Sequence, residues 1–291
     1  MRYAKVSIMD DITIAVDDAE HGPLVFDASA AGPDDGELVL LLHGFPQTRR
    51  SWRHQLPALA AAGYRAVAPD QRGYSAGARP AEEAAYRQPR LVADTLAMAD
   101  ALGAERFHLV GHDFGAVVGW QVACRHADRL LSWTPVSVPH PWAYLWAYEH
   151  GDQQERSGYF DWFRTPGSER DFIADECALL RRIAAVATVE GDELDRYLAV
   201  LGSEPAMRAA ISWYRAALPE MFDGLGEVTC PTLHIWSTED PALGREGAEA
   251  TERYVAGPYR LEVIDGVDHW VQELVPDRVN ELLLDHLAAT R

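Results

Sequence analysis

The stretch RFHLVGHDFG, residues 106–115, is the most informative part of this chain for its fold. An apolar run, Phe107–Val110, leads directly into the pentapeptide Gly111–Gly115, in which Asp113 is the central residue. A buried strand that runs into G-x-nucleophile-x-G and then into a helix is the layout of a nucleophile elbow, a sharp turn at the carboxyl end of a parallel strand. We therefore predict a mainly parallel α/β sheet with Asp113 in the nucleophile position.

An aspartate in that position restricts the chemistry. A carboxylate attacks amides and ordinary esters poorly, because the mixed anhydride that it would form lies uphill. It is a good nucleophile for displacement at a saturated carbon, where it leaves an alkyl ester that water can later cleave. Asp113 therefore indicates ring-opening or dehalogenation chemistry rather than ester or peptide hydrolysis.

Composition excludes several classes of protein. The chain has 291 residues, 48% of them hydrophobic, which suits one large α/β domain with an insertion. Its net charge of −19 argues against nucleic acid or an anionic membrane as a partner. The N-terminus lacks an apolar signal core, and no apolar stretch is long enough to span a bilayer. We expect a cytoplasmic protein that acts on a small molecule; its oligomeric state is open, with a homodimer as one option.

Cysteine and histidine positions predict neither disulfides nor a metal. Cys124, Cys177 and Cys230 are widely spaced and odd in number, which disfavours a disulfide framework. His108 and His112 are four residues apart on a predicted strand, where that spacing separates them by roughly 13 Å. We expect no metal site and no cofactor.

Alternation of strands and helices predicts the architecture. Six short apolar runs predict the core strands: Leu38–Leu42, Tyr64–Ala68, Phe107–Val110, Leu131–Val138, Thr232–Trp236 and Arg260–Ile264. Two earlier segments, Tyr3–Ala15 and Pro23–Ala28, predict a leading antiparallel pair, which brings the sheet to eight strands. Helices are predicted on both faces, beginning near Ser51, Pro89, Phe114 and Gly244, with a last helix over Pro276–Ala289.

The strand pattern stops after Val138 and resumes at Thr232. The segment between them is rich in Trp, Tyr, Arg and Glu, and Leu194–Leu201 and Met207–Leu218 have helical spacing. We predict a core of residues 1–138 and 223–291 and a helical cap of residues 139–222. The cap would cover the carboxyl ends of the strands, where ligands bind in open α/β sheets.

A nucleophilic carboxylate needs a base for water and a group that orients this base. His269 follows the last predicted strand, and Asp240 follows the strand before it. A carboxylate there can accept a hydrogen bond from one ring nitrogen of His269 and leave the other nitrogen free to take a proton from water. Asp240 could equally cap a helix. Glu239 and Asp268 are weaker candidates for the same role.

Two backbone N–H groups are candidates for an oxyanion site. The tetrapeptide His43-Gly44-Phe45-Pro46 follows the first core strand. In nucleophile-elbow proteins this position commonly supplies one N–H donor, here that of Phe45, and the residue after the nucleophile, Phe114, supplies the other.

These residues together resemble the epoxide hydrolases of the α/β-hydrolase fold, and the similarity covers nearly the whole chain. That family holds and protonates the epoxide oxygen with two cap tyrosines. Tyr159 lies seven residues before Pro166-Gly167, with aromatic residues between, and Tyr214 lies in the run Trp213-Tyr214-Arg215, as the family motifs require. The resemblance implies that Tyr159 and Tyr214 are the two donors.

The resemblance also implies a mechanism. Asp113 attacks an epoxide carbon while Tyr159 and Tyr214 donate to the ring oxygen, and His269, oriented by Asp240, activates water that hydrolyses the ester to a vicinal diol. The expected partners are water and a small-molecule epoxide substrate. The aromatic-rich cap predicts an apolar, bulky or aromatic epoxide. The predicted substrate contacts are His43, Trp162, Phe163 and Trp213.

Two other functions stay open. Haloalkane dehalogenases use an Asn after His-Gly and a Trp after the nucleophile, where this chain has Phe45 and Phe114. Fluoroacetate dehalogenases resemble the chain through residues 43–49, HGFPQTR, but they bind the substrate carboxylate with arginines beside the nucleophile, where Phe114 stands. The second alternative is a non-catalytic, ligand-binding member of the fold, and the complete set of candidate residues argues against it.

Overall fold

The computed structural model describes residues 9–217 and 219–290 of the chain. Its centre is an eight-stranded sheet in the spatial order β1-β2-β4-β3-β5-β6-β7-β8. The strands are β1 Asp10–Asp18, β2 Gly22–Ala31, β3 Leu38–Leu42, β4 Arg65–Pro69, β5 Phe107–His112, β6 Leu130–Val136, β7 Thr232–Ser237 and β8 Tyr259–Ile264. The β1–β2 and β2–β4 pairs are antiparallel, and the remaining pairs are parallel. The predicted fold class is confirmed.

Twelve α-helices accompany the sheet in the described part of the chain. They are α1 Gln55–Ala61, α2 Gln88–Ala101, α3 Phe114–Arg125, α4 Pro141–His150, α5 Gln153–Arg156, α6 Tyr159–Arg164, α7 Glu169–Val186, α8 Gly191–Leu201, α9 Glu204–Arg215, α10 Arg245–Ala250, α11 Val271–Leu274 and α12 Pro276–Ala288. Helix α7 is kinked, since residues 174–177 have non-helical backbone angles. No helix among the described residues is long and apolar enough to cross a membrane.

Both faces of the sheet are covered because its central strands are apolar on both sides. In β3, Leu40 and Leu42 join the core that includes α2 and α3, whereas Val39 and Leu41 join the core that includes α1 and α12. Successive side chains of a strand point to opposite faces, so a continuous apolar run such as Leu38–Leu42 fits a strand buried between two helical layers.

Some element boundaries differ from the prediction. Strand β6 ends at Val136 rather than Val138, because Ser137 has a φ of +72° and turns the chain toward the cap. The helix expected near Ser51 begins at Gln55, since Arg49–Trp52 form a separate 3₁₀ turn. Residues 3–8 of the first predicted strand, Tyr3–Ala15, lie outside the described residues. Strand β1 begins at Asp10 and ends at Asp18, three residues beyond the predicted end.

Between β6 and β7 the described chain forms helices α4–α9 and no strand, and we call these helices the cap. The cap rests on the core through specific polar contacts. Trp213 of α9 donates its indole N–H to the carbonyl of Arg72 at 2.9 Å, and Glu193 of α8 pairs with Arg50 at 2.6 Å. The exact division of the chain after residues 138 and 222 stays a prediction.

Candidate active site

Asp113 occupies a strained turn between β5 and α3. Its backbone angles are φ +50° and ψ −124°. Residues other than glycine seldom adopt this region, which costs about 1–3 kcal/mol. Two glycines make the turn possible by their lack of a Cβ. A Cβ on Gly115 would lie 2.3 Å from the carbonyl oxygen of Leu42, and one on Gly44 would lie 2.3 Å from the Cβ of Asp113. A Cβ on Gly111 would lie 2.5 Å from the carbonyl oxygen of Gly115, so close backbone approach requires both glycines of the G-x-D-x-G spacing.

The carboxylate of Asp113 is buried, with 7% of the residue exposed. Its Oδ1 accepts a hydrogen bond from the backbone N–H of Phe45 at 2.7 Å. Its Oδ2 lies 3.4 Å from Nε2 of His269. Among the described residues, Asp113 receives no hydrogen bond from the N–H of Phe114, so only one of the two predicted oxyanion donors contacts the carboxylate in this state. The two oxygens of Asp113 thus have different environments.

His269 is held by Asp240. Nδ1 of His269 donates to Oδ2 of Asp240 at 2.8 Å, while Oδ1 of Asp240 accepts the N–H groups of Ala242 and Leu243 at 2.8 and 3.0 Å. Asp240 therefore orients the ring and also caps the turn that follows it. The weaker candidates lie elsewhere, since Asp268 accepts the backbone N–H of His269 and Glu239 is exposed.

Charge around His269 outweighs the effect of burial. Burial alone disfavours the charged imidazolium, but Asp240 and Asp113 flank the ring and together raise the pKa of His269 to about 10. Burial likewise works against ionised Asp113, yet the hydrogen bond and charge of His269 lower the pKa of Asp113 overall. In the resting site an imidazolium at neutral pH thus lies between two carboxylates.

Three further residues hold the His269 loop in place, and the sequence analysis did not predict them as site residues. The carbonyl of His269 accepts hydrogen bonds from Nε2 of His112 at 3.0 Å and from the hydroxyl of Ser137 at 3.1 Å. Nδ1 of His112 lies 3.0 Å from Oε1 of Gln47. The signal for two of them was present, because His112 lies inside the elbow pentapeptide and Gln47 follows the oxyanion tetrapeptide.

A cavity of about 960 Å³ opens above Asp113, between the sheet edge and the cap. Tyr159 and Tyr214 both line it, with ring centroids 6.3 Å apart. Neither hydroxyl makes a hydrogen bond within the described part of the chain. Burial and the negative charge of Asp113 raise the pKa of both tyrosines well above the usual value, so both remain protonated donors.

None of the four predicted substrate contacts, His43, Trp162, Phe163 and Trp213, is among the residues that line this cavity. The ring of His43 is completely buried: its Nδ1 donates to the carbonyl of Gly44 at 2.9 Å and its Nε2 accepts the N–H of Gln71 at 3.1 Å. Trp213 is likewise buried and bonded to the core. The polar groups of both are satisfied within the protein.

The two predicted contacts on α6 are also absent from the cavity lining. Trp162 is 38% exposed, donates its indole N–H to Asp171 at 2.9 Å and stacks on Phe172. Phe163 is buried, and its ring packs against Phe45 and Tyr214. The residues that line the cavity instead include Trp120, Tyr144, Leu145, Phe160 and Met221.

Known proteins are similar to this chain in sequence and fold. Residues 37–276 match the family model described as alpha/beta hydrolase fold. Epoxide hydrolase A of Mycobacterium tuberculosis is 34% identical over 88% of this chain and 92% of its own length, and epoxide hydrolase 4 of Mus musculus is 33% identical over 89% and 75%. The chain belongs to the epoxide hydrolases of the α/β-hydrolase fold. The crystal structure of epoxide hydrolase A from Mycobacterium thermoresistibile agrees, with a TM-score of 0.81, 29% identity and coverage of 97% and 98% of the two chains.

Membership of this family confirms the resemblance that the elbow, the acid–histidine pair and the two cap tyrosines indicated. The protein is therefore a hydrolase of the epoxide hydrolase family. The roles of its individual residues rest on the geometry above.

Proposed function

We propose that this epoxide hydrolase opens an apolar epoxide to a vicinal diol through an ester on Asp113. The observation that carries the proposal is the asymmetric environment of one carboxylate. Oδ1 of Asp113 is held by the N–H of Phe45 at 2.7 Å, while Oδ2 has no backbone donor among the described residues and lies at the floor of the cavity. The names of the relatives support the same activity.

In the first step, Oδ2 of Asp113 attacks an epoxide carbon and the carbon–oxygen bond of the ring breaks. The departing oxygen takes a proton from Tyr159 or Tyr214, which are neutral phenols at neutral pH. Because Asp113 becomes a neutral ester, His269 loses one of the two charges that raise its pKa. The proton that His269 then releases returns to the tyrosinate, so the phenol is restored and His269 is neutral before the second step.

In the second step, neutral His269 removes a proton from water through Nε2, and the water oxygen attacks the ester carbonyl carbon of Asp113. Negative charge develops on Oδ1, which already accepts the N–H of Phe45. When this intermediate collapses, the bond between the carbonyl carbon and the alkoxy oxygen breaks, and that oxygen takes the remaining proton of the attacking water. The diol leaves, the water oxygen stays in the carboxylate of Asp113, and His269 is protonated again. Asp240 keeps Nδ1 of His269 protonated, so that Nε2 is the basic nitrogen.

The cavity supports a bulky substrate. Its volume of about 960 Å³ lies near the upper end of the usual range for small-molecule sites. Apolar side chains such as Phe114, Trp120, Val138 and Phe160 form much of its wall. An aromatic or otherwise large apolar epoxide fits this lining better than a small charged one.

The dehalogenase alternative lacks the groups that it needs. Arg49, which the fluoroacetate dehalogenase resemblance includes, is committed to Asp70 through its backbone N–H at 2.7 Å and its guanidinium at 2.5 Å. Phe45 and Phe114 offer no side-chain N–H donor to a halide leaving group. The complete Asp113, His269 and Asp240 geometry argues against a purely ligand-binding role.

Removing both phenol hydroxyls, as Tyr159→Phe with Tyr214→Phe, is expected to lower diol formation from styrene oxide by roughly 10²–10⁴-fold, the range for general acid catalysis. Each single variant retains one donor and loses less. The measurement is kcat for diol release, with Tyr254→Phe as the control, since Tyr254 stacks on His140 away from the cavity.

The double variant also distinguishes the alternatives. The assignment of Tyr159 and Tyr214 as the proton donors is wrong if the double variant hydrolyses styrene oxide at the wild-type rate. The epoxide assignment itself is wrong if the wild-type protein releases halide from 1-chlorobutane or fluoroacetate but forms no diol from styrene oxide or the stilbene oxides.

A further inference from the structure

A polar cluster interrupts the apolar wall of the cavity on the cap side. Tyr144 of α4, Gln153 of α5 and Ser157 all line the cavity. They are hydrogen-bonded to one another, and the mechanism proposed above uses none of them. A polar group that lines a ligand cavity commonly fixes the orientation of the ligand.

The amide of Gln153 has a defined orientation. Its Oε1 accepts the backbone N–H of Gly244 at 3.0 Å, which requires its NH₂ group to face the other way. That group donates to the carbonyl of Ala242 at 2.7 Å and to the hydroxyl oxygen of Ser157 at 2.9 Å. Both amide protons are therefore used, and Ser157 acts as an acceptor toward Gln153.

The remaining contact of the cluster joins two hydroxyl groups. The phenol oxygen of Tyr144 lies 2.7 Å from the hydroxyl oxygen of Ser157. Together the two groups carry two protons, and only one proton can lie between the two oxygens. Neither hydroxyl has another acceptor among the described residues. Burial raises the pKa of Tyr144, so its phenol is protonated at neutral pH.

One O–H proton of this pair thus has no acceptor within the described protein, whichever of the two groups donates to the other. Both residues line the cavity, so that proton is available to a ligand. An unsatisfied donor in an apolar wall is unfavourable until an acceptor reaches it. Tyr159 and Tyr214 already supply two donors for the epoxide oxygen.

We propose that Tyr144 and Ser157 form a second hydrogen-bonding subsite, which binds an uncharged acceptor oxygen of the substrate other than the epoxide oxygen. The substrate class is then an apolar epoxide that carries an ether, carbonyl or hydroxyl oxygen elsewhere on its skeleton. This inference rests on the proposed function, and it makes Tyr144 a specificity-determining residue rather than a catalytic one.

The test uses 1,2-epoxydecane and its isosteric ethers, in which a single oxygen replaces one CH₂ at successive positions along the chain. The measurement is kcat/KM for diol formation by the wild type, by Tyr144→Phe and by Tyr148→Phe. Tyr148 lies one helical turn further on α4, lines the same cavity and is 39% exposed, so it is a matched control for the loss of a phenol hydroxyl. Electronic effects of the ether oxygen on the epoxide are the same for all three proteins and cancel in the comparison.

We expect one ether position to be preferred by the wild type, and Tyr144→Phe to reduce that preference about threefold to tenfold, the contribution of a neutral hydrogen bond. The hydrocarbon should be hydrolysed by Tyr144→Phe at least as well as by the wild type, which also shows that the variant is folded. Tyr148→Phe should keep the wild-type preference.

The subsite is overturned if the profile of kcat/KM against ether position is the same in Tyr144→Phe as in the wild type, or if Tyr148→Phe changes it equally. Hydrolysis of the hydrocarbon with an unchanged profile overturns the subsite alone. If the wild type hydrolyses styrene oxide but no member of the series, the subsite alone is overturned. If it forms no diol from the series or from styrene oxide, the proposed function fails together with the subsite.

Discussion

Replacing Asp113 by alanine is expected to lower kcat/KM for epoxide hydrolysis at least about 10⁴-fold, because the variant has no group that forms the covalent bond. Loss of the carboxylate removes the nucleophile and leaves the buried His269 with Asp240 as its remaining anionic partner among the residues that the structure describes. The measurement is kcat/KM for styrene oxide with freshly purified protein.

Asp113→Asn is the matched variant for this prediction. Asparagine has nearly the shape of aspartate, tolerates a positive φ better than alanine, and its side-chain oxygen can still accept the N–H of Phe45. It should fold like the wild type and be as inactive as the alanine variant. Stable activity within roughly tenfold of wild type, without conversion of the asparagine to aspartate, would show that Asp113 is not the nucleophile.

His269→Gln is expected to separate the two chemical steps. Glutamine can still donate to Asp240 but is no base, so the ester on Asp113 forms and its hydrolysis falls by roughly 10²–10⁴-fold. One equivalent of epoxide is then consumed in a burst, and the mass of the protein rises by the mass of that epoxide. The measurement is intact-protein mass spectrometry after brief mixing with styrene oxide, followed by location of the adduct on the peptide that contains Asp113.

Glu239→Gln is the control for the acid–base assignment. Glu239 immediately precedes Asp240 in the chain but is exposed and has no hydrogen bond to His269. This variant should turn over normally without accumulating an adduct. An inactive His269→Gln protein that never acquires the mass of the epoxide would contradict the assignment of Asp113 as nucleophile and His269 as the base that activates water.

The elbow and the positions of Asp240 and His269 could be predicted because local sequence determines them. The elbow follows from an apolar strand, the closely packed Gly111 and Gly115, and an adjoining helix, all within residues 107–125. The positions of Asp240 and His269 follow because parallel strands β7 and β8 bring the loops at their carboxyl ends to the same edge of the sheet. For these residues, sequence position and position in the fold are tightly linked.

Side-chain direction within the cap was not predictable in this way. Trp162 and Phe163 are neighbours of Tyr159 on α6, yet their rings are turned toward Phe172 and Phe45, and the cavity is lined by Tyr159 and Phe160. Which residues of an aromatic-rich helix meet the ligand depends on how that helix packs against the others. The role of His112 could not be predicted for a similar reason, because its partners Gln47 and His269 come from loops far apart in the chain.

The central claim is that an oxygen of Asp113, and not one of water, forms the new bond to the epoxide carbon. A single turnover in ¹⁸O-labelled water, with the enzyme in excess over styrene oxide, tests it most directly. The mechanism predicts diol without label from that turnover and one ¹⁸O atom in the carboxylate of Asp113. Diol labelled in its first turnover, with Asp113 unlabelled, would mean that water attacks the epoxide directly and would contradict the covalent mechanism.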